Sequence, residues 1–346
     1  MHALGQEAAV LLRNARAGCA DSLGCHPRHL VLTSGGTESI NLAIKGYVAA
    51  NPRAGKRIIT SQGEHAATVE TLAWLEKSGY EIVRLPLTQN GSVSLEHLAK
   101  ALEEPAALIS LIHVSNETGA VNQAADIVRL RAAAGSQAAI HLDAVQTTGK
   151  LAFDFARSGV DMISGSGHKI GAPKGIGWLV KGANIRLQAQ IHGGGQQDGL
   201  RSGTENPPAA LALSVALSEA VQNLSGKTNW VQRLRTLFLD ELRQSDLTPV
   251  VLSPADGVPH ILSLAFPGLR GETMLHALEA RDISISTGSA CSSRHSRRGN
   301  LVLRAMGVRD DLAACAVRIS FAPSNQEEEI HIAARAMTDI YRHLRR

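Results

Sequence analysis

An alternation of short apolar runs with longer amphipathic stretches constrains the fold of this chain more than any other feature. Seven apolar runs have the length of strands, and four stretches with helical periodicity lie between several of them. Strands that alternate with helices of this length are typical of a mostly parallel sheet covered by helices on both faces. The sequence therefore predicts an α/β fold. The predicted strands are residues 29–33, 57–61, 81–87, 106–114, 138–142, 161–164 and 175–180, and the predicted helices are residues 37–50, 66–77, 94–102 and 124–134.

The pattern changes at Asn206, where a Pro-Pro pair opens a long helix rich in alanine and leucine. Asparagine caps helices well, and proline is tolerated in the first helical turn. Beyond this helix, helices and strands mix without regular alternation. The sequence therefore predicts a large domain over residues 1–225 and a smaller α+β domain over residues 226–346. The smaller domain is predicted to hold helices at 230–243, 272–281, 301–306 and from 326, and strands at 260–266, 283–287 and 317–321.

Composition and charge exclude several classes of protein. No apolar run approaches the roughly 18 residues of a membrane helix and no signal-peptide pattern is present, so we expect a soluble, cytoplasmic protein. The net charge of +4 is mild, and no basic face with interleaved aromatic residues points to direct nucleic-acid binding. The four cysteines form neither a disulfide framework nor a metal-binding pattern, so we expect no metal site.

A lysine in a glycine-rich turn is the first candidate for chemistry. Lys169 follows His168 in the segment Ser-Gly-Ser-Gly-His-Lys, at the end of a predicted strand. A lysine amine becomes a good nucleophile when desolvation or a neighbouring cation favours its uncharged form. A reactive lysine just beyond a strand, beside small residues, suits a carbonyl cofactor bound as a Schiff base. Taken alone, a lysine at a strand end is more often a solvated surface residue.

Three further segments favour one particular cofactor. Residues 32–38 join a strand to a helix through a Gly-Gly-Thr turn, which leaves backbone N–H groups for an anion such as phosphate. Asp143 ends a strand, where a carboxylate can keep a pyridine nitrogen protonated, and His65 can stack on a planar ring. Each segment has an ordinary alternative: a tight glycine turn, an aspartate that caps a turn, and a structural histidine. Together with Lys169, they fit pyridoxal 5'-phosphate better than any other common cofactor.

The order of these motifs resembles that of one family. The chain resembles the cysteine desulfurases of the NifS/IscS type, within the class V aminotransferases and the fold type I pyridoxal-phosphate enzymes. The resemblance covers nearly the whole chain. It implies a mostly parallel mixed sheet sandwiched by helices and a smaller α+β C-terminal domain. The matching stretches are residues 33–46, 64–65, 113–119, 141–146, 164–169, 192–206 and 286–291.

The resemblance implies roles for individual residues. Lys169 would hold the cofactor covalently, and Asp143 would pair with its pyridine nitrogen. Asn116 and Arg318 would hold the carboxylate of the substrate. His65 would stack on the cofactor ring and is counted with the catalytic residues, and Gln146 would bind the ring hydroxyl. The implied phosphate ligands are Gly36, Thr37, Ser166 and His168. Thr204 of the partner subunit would join them across a homodimer interface.

Cys291 is the sulfur acceptor that the resemblance implies. As a thiolate it would attack the sulfur of L-cysteine, keep that sulfur as a persulfide and release L-alanine. Small residues surround it in Thr-Gly-Ser-Ala-Cys-Ser-Ser, a composition typical of loops. The sulfur would then pass to an acceptor protein, in iron–sulfur cluster assembly or tRNA thiolation.

Two other functions stay open on the sequence. A selenocysteine lyase or another class V β-lyase would not need Cys291. A non-catalytic, shortened paralogue is the second alternative, because the first residues of the chain resemble the family only after its opening strand. We expect such a shortened form to bind the cofactor but to turn over poorly.

Overall fold

The computed structural model describes residues 2–245, 247–288 and 300–345. The chain forms two compact units. The first comprises the chain up to Leu85, Ser94–Val114 and Asn122–Leu224, and the second comprises Pro86–Val93, Ser115–Val121 and the chain from Ser225 onward. Cys291, the predicted sulfur acceptor, lies outside the described residues.

Seven strands form one sheet in the first unit: β1 (Leu30–Thr33), β2 (Arg57–Ser61), β3 (Glu81–Leu85), β4 (Leu108–Ile112), β5 (Ala139–Asp143), β6 (Met162–Ser166) and β7 (Gly177–Lys181). Their order across the sheet is β1-β7-β6-β5-β4-β2-β3. Strand β7 runs antiparallel to both of its neighbours, and the other pairs are parallel. The predicted α/β fold with a mostly parallel sheet is confirmed.

The helices of the first unit are α1 (Ala3–Ser22), α2 (Gly36–Ala50), α3 (Ala66–Lys77), α4 (Leu95–Ala101), α5 (Ala124–Ala133), α6 (Phe155–Ser158) and α7 (Pro207–Val221). Several begin at a capping side chain, as at Ser94, whose Oγ accepts from the N–H of His97. Helix α1, which the sequence analysis did not predict, packs closely on α7. A Cβ on Gly18 of α1 would collide with Ser214 of α7, so glycine permits this close approach.

The core of the first unit lies on the sheet. Every residue of β4 and of β5 is buried, because helices cover both faces of a parallel sheet. One cluster joins strand residues such as Ile58, Leu108 and Met162 to Ile44 of α2 and Leu72 of α3. These contacts fix the positions of the strand ends from which the candidate site is built.

The second unit is an antiparallel sheet with helices. Its strands are β8 (Val250–Val251), β9 (Ile261–Ala265) and β10 (Ala316–Ser320), in the order β10-β9-β8. The remaining helices are α8 (Leu224–Gln244), α9 (Gly271–Glu279), α10 (Leu301–Ala305), α11 (Asp310–Ala313) and α12 (Glu327–Leu344). Phe238, Leu262, Phe266, Met274 and Met337 contribute to its core.

Within the described parts of the chain, no helix has the length and apolar character needed to cross a membrane.

The predicted strand at residues 283–287 is wrong. Only Ser286 pairs with β10, in an isolated antiparallel bridge to Arg318. The backbone N–H of Ile283 instead donates to the carbonyl oxygen of Leu278 at the end of α9. The helix end therefore holds the start of this segment, and a continuous ladder does not form.

Gly165 offers a test of how tightly β6 and β7 pack. A Cβ at this position would collide with the indole ring of Trp178, which is fully buried. We expect Gly165→Ala to lower the free energy of unfolding by about 3 kcal/mol, because overpacking a dense core typically costs about 1–3 kcal/mol. Urea unfolding measures the difference.

Gly182→Ala is the matched control. A Cβ there would make only ordinary contacts of 3.5 Å with Asp161 and Ile185. Its free energy of unfolding should stay within about 0.5 kcal/mol of the wild type. Equal destabilisation by the two substitutions would contradict the packing argument.

Candidate active site

The predicted site residues of the first unit collect at one edge of its sheet. Strands β1, β2, β4, β5 and β6 run in the same direction, so their carboxyl ends meet at this edge. Asp143 is the last residue of β5, and the segments that follow β1, β2 and β6 carry Thr37, His65 and Lys169. Open α/β sheets bind ligands at the carboxyl ends of their strands. The fold therefore brings these four residues to the edge where a ligand is expected.

Helix α2 presents free backbone amides at this edge. Its N-cap residue, Gly35, has φ 154° and no side chain caps the helix. The first helical hydrogen bond runs from the N–H of Ser39 to the carbonyl of Gly35, so the amides of Gly36, Thr37 and Glu38 precede the helical ladder. Free amides and the positive end of the helix dipole favour an anion at this position.

The turn after β6 adjoins the start of α2. A Cβ on Gly36 would lie 2.9 Å from Val145 Cγ2 and 3.4 Å from Ser166 Cβ, so a larger residue would crowd the turn. Ser166 Oγ lies 2.9 Å from Nδ1 of His168. Burial and three neighbouring lysines lower the pKa of His168, so its ring is neutral at pH 7. A hydroxyl and a neutral imidazole thus lie beside the free amides.

Lys169 lies on the short 3₁₀ helix Gly167–Ile170 that follows β6. This helix ends at Gly171, whose φ of 89° is a conformation that glycine adopts easily. The side chain of Lys169 is exposed, whereas the neighbouring Gly167 is buried. The amine is therefore available to a ligand at the sheet edge.

Asp143 is a buried carboxylate at the carboxyl end of β5. It is 3% exposed, and its Oδ1 accepts a hydrogen bond from the N–H of Val145 at 3.0 Å. Burial raises the pKa of Asp143, although the Val145 hydrogen bond and His65 oppose the shift. A protonated ring nitrogen beside it would stabilise the carboxylate, since opposite charges favour one another's ionised forms.

His65 is fixed at the start of α3. Its Nδ1 accepts a hydrogen bond from the N–H of Ala67 at 3.1 Å, so the ring caps the helix. A neutral imidazole that accepts at Nδ1 carries its proton at Nε2. The side chain is exposed. The cap therefore sets both the position and the tautomer of the ring.

Glu64 is a buried acid to which the sequence analysis gave no role. Its Oε1 accepts hydrogen bonds from the hydroxyl of Ser61 at 2.6 Å and from the N–H of Ile112 at 3.0 Å. Its Oε2 is buried without a hydrogen-bond partner. Burial raises the pKa of Glu64 to about 8, with a further contribution from Asp143 and against the two hydrogen bonds. Glu64 is therefore mostly protonated at pH 7, which spares Asp143 a second negative charge.

Gln146 lies in the turn after β5 and is held by a lysine. Its Oε1 accepts a hydrogen bond from Nζ of Lys150 at 2.7 Å. Burial and the charge of Lys169 lower the pKa of Lys150 to about 8. The sequence analysis missed Lys150, and the one signal for it was its position four residues after Gln146.

A buried histidine ties three strands together below the site. His141 Nδ1 lies 2.9 Å from Ser110 Oγ of β4, and its Nε2 lies 2.8 Å from Ser164 Oγ of β6. Burial lowers the pKa of His141 to about 3, so the ring is neutral. These two hydrogen bonds fix the spacing of the strands that carry Asp143 and Ser166.

The second unit holds the two predicted substrate residues. Arg318 Nη1 donates a hydrogen bond to the carbonyl oxygen of Asn116 at 2.8 Å, so this unit brings them together. Within the described residues, Arg318 Nε and Glu117 Oε2 are buried and lack a hydrogen-bond partner. Burial raises the pKa of Glu117 to about 7, although Arg318 opposes this shift. The guanidinium thus retains a buried N–H that an anionic group can accept from.

Thr204 is exposed in the loop before α7.

The three described cysteines are free, and two of them are shielded from reaction. Burial raises the pKa of Cys19 to about 12 and that of Cys25 to about 11, so neither is a thiolate at pH 7. Among the described residues, no group of three or more His, Cys, Asp or Glu side chains is arranged to hold a metal ion.

Residues 1–332 match the sequence profile of the family described as aminotransferase class V. The chain belongs to the class V aminotransferase family. The family membership expected from the motifs is confirmed.

Known proteins resemble this chain over most of its length. Cysteine desulfurase IscS of Azotobacter vinelandii is 39% identical over 348 aligned residues, which cover 99% of this chain and 84% of the relative. A solved structure described as a NifS-like protein superimposes with a TM-score of 0.92 at 33% identity, covering 99% of this chain and 90% of the other. The structure of SspA in complex with cysteine has a TM-score of 0.80 at 31% identity, covering 94% and 90% of the two chains.

The residues at the sheet edge fit pyridoxal 5'-phosphate, the cofactor of this family. The free amides of α2 and the glycine turn beside Ser166 suit a phosphate group. The buried carboxylate of Asp143 suits a protonated pyridine nitrogen. The exposed amine of Lys169 suits an aldehyde.

The raised pKa of Glu64 predicts an unusual dependence of stability on pH. Unfolded, this acid titrates near its ordinary pKa of 4.5, whereas folded it keeps its proton up to about pH 8. Between these values the folded state binds the extra proton, so the free energy of unfolding should fall as the pH rises from 4.5 to 8. Glu64→Gln keeps the acceptor oxygen and removes the titration. Relative to the wild type, the variant should gain at least about 1 kcal/mol between pH 5.5 and pH 8.

Urea unfolding of the cofactor-free proteins at the two pH values measures this difference. Glu76→Gln is the control, because Glu76 is exposed and its hydrogen bonds with Arg84 lower its pKa. The control should keep the pH dependence of the wild type. An unchanged pH dependence in Glu64→Gln would show that Glu64 is ionised in the folded protein.

Proposed function

We propose that this chain is a cysteine desulfurase, an enzyme that uses pyridoxal 5'-phosphate to remove sulfur from L-cysteine and releases L-alanine. The observation that carries the proposal is the group of free helix amides, buried carboxylate and exposed lysine at one sheet edge. The relatives named cysteine desulfurase IscS, and the related structure of SspA in complex with cysteine, support L-cysteine as the substrate.

The cofactor would be held by side chains of the first unit together with the amides of α2. Its phosphate would accept hydrogen bonds from these amides and from Thr37, Ser166 and His168. Gln146 would bind the ring hydroxyl and His65 would stack on the ring. The neutral state of His168 suits a phosphate acceptor, since its Nε2 or Nδ1 can donate without an added charge.

The chain's own residues would control protons and charge. When bound, pyridoxal 5'-phosphate supplies an electron sink for the negative charge that forms at the substrate α-carbon. Asp143 would keep the proton on the ring nitrogen. The Nζ amine of Lys169 would hold the cofactor at rest and then accept the proton from the α-carbon of cysteine. Asn116 and Arg318 would fix the substrate carboxylate, and the buried Nε of Arg318 supports this assignment.

Cys291 would take the sulfur. Its thiolate would attack the sulfur of the substrate, so that an S–S bond forms as the C–S bond breaks. The electron pair of the C–S bond goes to the substrate carbon, which is protonated to the methyl group of alanine. The raised pKa values of Cys19 and Cys25 support Cys291 over these two thiols.

The persulfide would serve an acceptor protein in the cytoplasm, for iron–sulfur cluster assembly or tRNA thiolation. The relatives named cysteine desulfurase IscS favour this role over the alternatives left open by the sequence, a selenocysteine lyase, another β-lyase or a non-catalytic paralogue.

Two substitutions test the reaction. Lys169→Ala should abolish the formation of alanine from L-cysteine. Cys291→Ala should reduce sulfur release from L-cysteine by roughly 10³-fold or more, as expected when a covalent nucleophile is removed. Alanine and sulfide are assayed with L-cysteine and, in parallel, with L-selenocysteine.

Cys25→Ala is the control and should keep wild-type rates, since burial holds this thiol protonated. Full activity of Cys291→Ala on both substrates would favour a β-lyase. A wild-type protein that binds pyridoxal 5'-phosphate but forms no alanine would contradict the proposal.

A homodimer is part of the proposal, with Thr204 of the partner subunit reaching the phosphate. Helices α1 and α7 of the first unit both expose apolar side chains. Leu4 and Leu11 lie seven residues apart on α1, and Leu211 and Val215 lie four residues apart on α7, each pair on one helix face. Leu4 is 72% exposed and Val215 is 52% exposed. Such a patch supports association with a second copy of this chain.

Charges on this patch should separate the subunits. The double variant Leu211→Glu, Val215→Glu should halve the mass measured by light scattering, because desolvating two carboxylates opposes association. Ile332→Glu on α12 is the control, since Ile332 is also 52% exposed but lies on the second unit. A double variant that keeps the wild-type mass would place the interface elsewhere.

A further inference from the structure

Lys150 is a charged side chain that no step of the proposed reaction uses. It ends the turn after β5, and its side chain is largely buried. In the described parts of the chain, no carboxylate lies within ion-pair distance of its Nζ. A buried ammonium without a counter-ion is costly, because desolvation is not repaid by an opposite charge. Its position therefore calls for an anionic partner.

A hydrogen bond from the Lys150 ammonium orients a neighbouring amide. Nζ donates to Oε1 of Gln146 at 2.7 Å. An ammonium has only donors, so the oxygen of the carboxamide must face it and the NH₂ group must face away. The NH₂ group of Gln146 is thereby left as a donor for a further acceptor. A donor there stabilises an acceptor oxygen that carries negative charge.

Other cations surround the same position. The charge of Lys169 acts on Lys150, and the charges of Lys169, Lys150 and Lys174 all act on His168. These groups lie on the turns after β5 and β6, close to Ser166. Of the three lysines, Lys174 is exposed to solvent and Lys150 is the most shielded. Lys150 is thus the fixed cation of the group.

We propose that Lys150 is a positioning residue of the cofactor site: it orients the Gln146 carboxamide as a donor to the ring oxygen of pyridoxal 5'-phosphate and supplies the cation that balances the negative charge on that oxygen. This inference rests on the proposed function, since it assumes that Gln146 meets the ring oxygen and that Lys169 holds the cofactor. Without the cofactor, the same ammonium is a source of instability.

The test compares Lys150→Met, Lys150→Arg, Gln146→Glu and the wild type as cofactor-free proteins titrated with pyridoxal 5'-phosphate. Lys150→Met should weaken binding about tenfold, the size expected when a charge-assisted hydrogen bond is lost. The visible band of its bound cofactor should titrate at higher pH, because a cation that opposes protonation is gone. Lys150→Arg should restore the dissociation constant of the cofactor to within about threefold of the wild type, and the pKa of the visible band to within a fraction of a pH unit.

Gln146→Glu provides an independent variant, should Lys150→Met fail to fold. A carboxylate there would pair with Lys150 but could not donate, so binding should weaken as much as in Lys150→Met. Lys174→Met is the matched control and should bind like the wild type, because its ammonium is solvated. Thermal unfolding of each cofactor-free variant checks the fold. Lys150→Met should be at least as stable as the wild type, since it removes a buried, unpaired charge.

Two results separate the failure of this inference from that of the proposed function. If Lys150→Met and Gln146→Glu bind within twofold of the wild type with unchanged spectra, Lys150 has no positioning role. If borohydride reduction of the wild type with pyridoxal 5'-phosphate attaches no cofactor to Lys169, the result contradicts the proposed function and therefore also this inference. A third result would also overturn the proposal. If Lys150→Met is less stable than the wild type, and Gln146→Glu binds the cofactor normally with an unchanged spectrum, the role of Lys150 is purely structural.

Discussion

Three backbone segments approach one another closely at the sheet edge, and the site depends on that approach. Thr33 of β1 and Ser166 of β6 both pair with Gly177 of β7. A Cβ on Gly177 would lie 2.5 Å from the Cα of Gly35, so no larger residue fits there without displacing the start of α2. Because the segments touch through glycines, the free amides of α2 lie beside the turn that carries Lys169. Backbone packing thus sets the relative positions of the free amides and the Lys169 amine.

Around this edge the protein buries charges that its own residues only partly compensate. Asp143 and Glu64 are buried acids whose pKa values are raised, and Lys150 is a buried base whose pKa is lowered. Each shift has the direction expected when an ionisable group is held away from water. Such groups are common at functional sites, where a ligand supplies the missing partner. A cofactor with a ring nitrogen, a ring oxygen and a phosphate matches this distribution of charge.

Periodicity predicted the strands of the first unit well, because each is a continuous apolar run bounded by turn residues. It failed at residues 283–287, where Ile283 and Ile285 pack against the core of the second unit as a strand would, yet only Ser286 pairs with β10. Helix α1 was also missed. Its buried positions, such as Ala15 and Cys19, are small residues that give a weak apolar period, and its close contact with α7 depends on Gly18.

By itself the sequence determined the α/β class and the family, and it predicted which residues bind the cofactor and the substrate, since motifs such as Ser-Gly-Ser-Gly-His-Lys keep their order along the chain. Only the tertiary structure decided how those residues are charged and oriented. The protonation of Glu64 depends on burial and on a hydrogen bond from the N–H of Ile112, a residue far away in the sequence. The tautomer of His65 and the direction of the Gln146 amide depend on hydrogen bonds from Ala67 and Lys150, which are near in sequence but come within hydrogen-bond distance only in the folded turns. A sequence pattern does not show which side chains lose contact with water, so these properties are defined only by the folded chain.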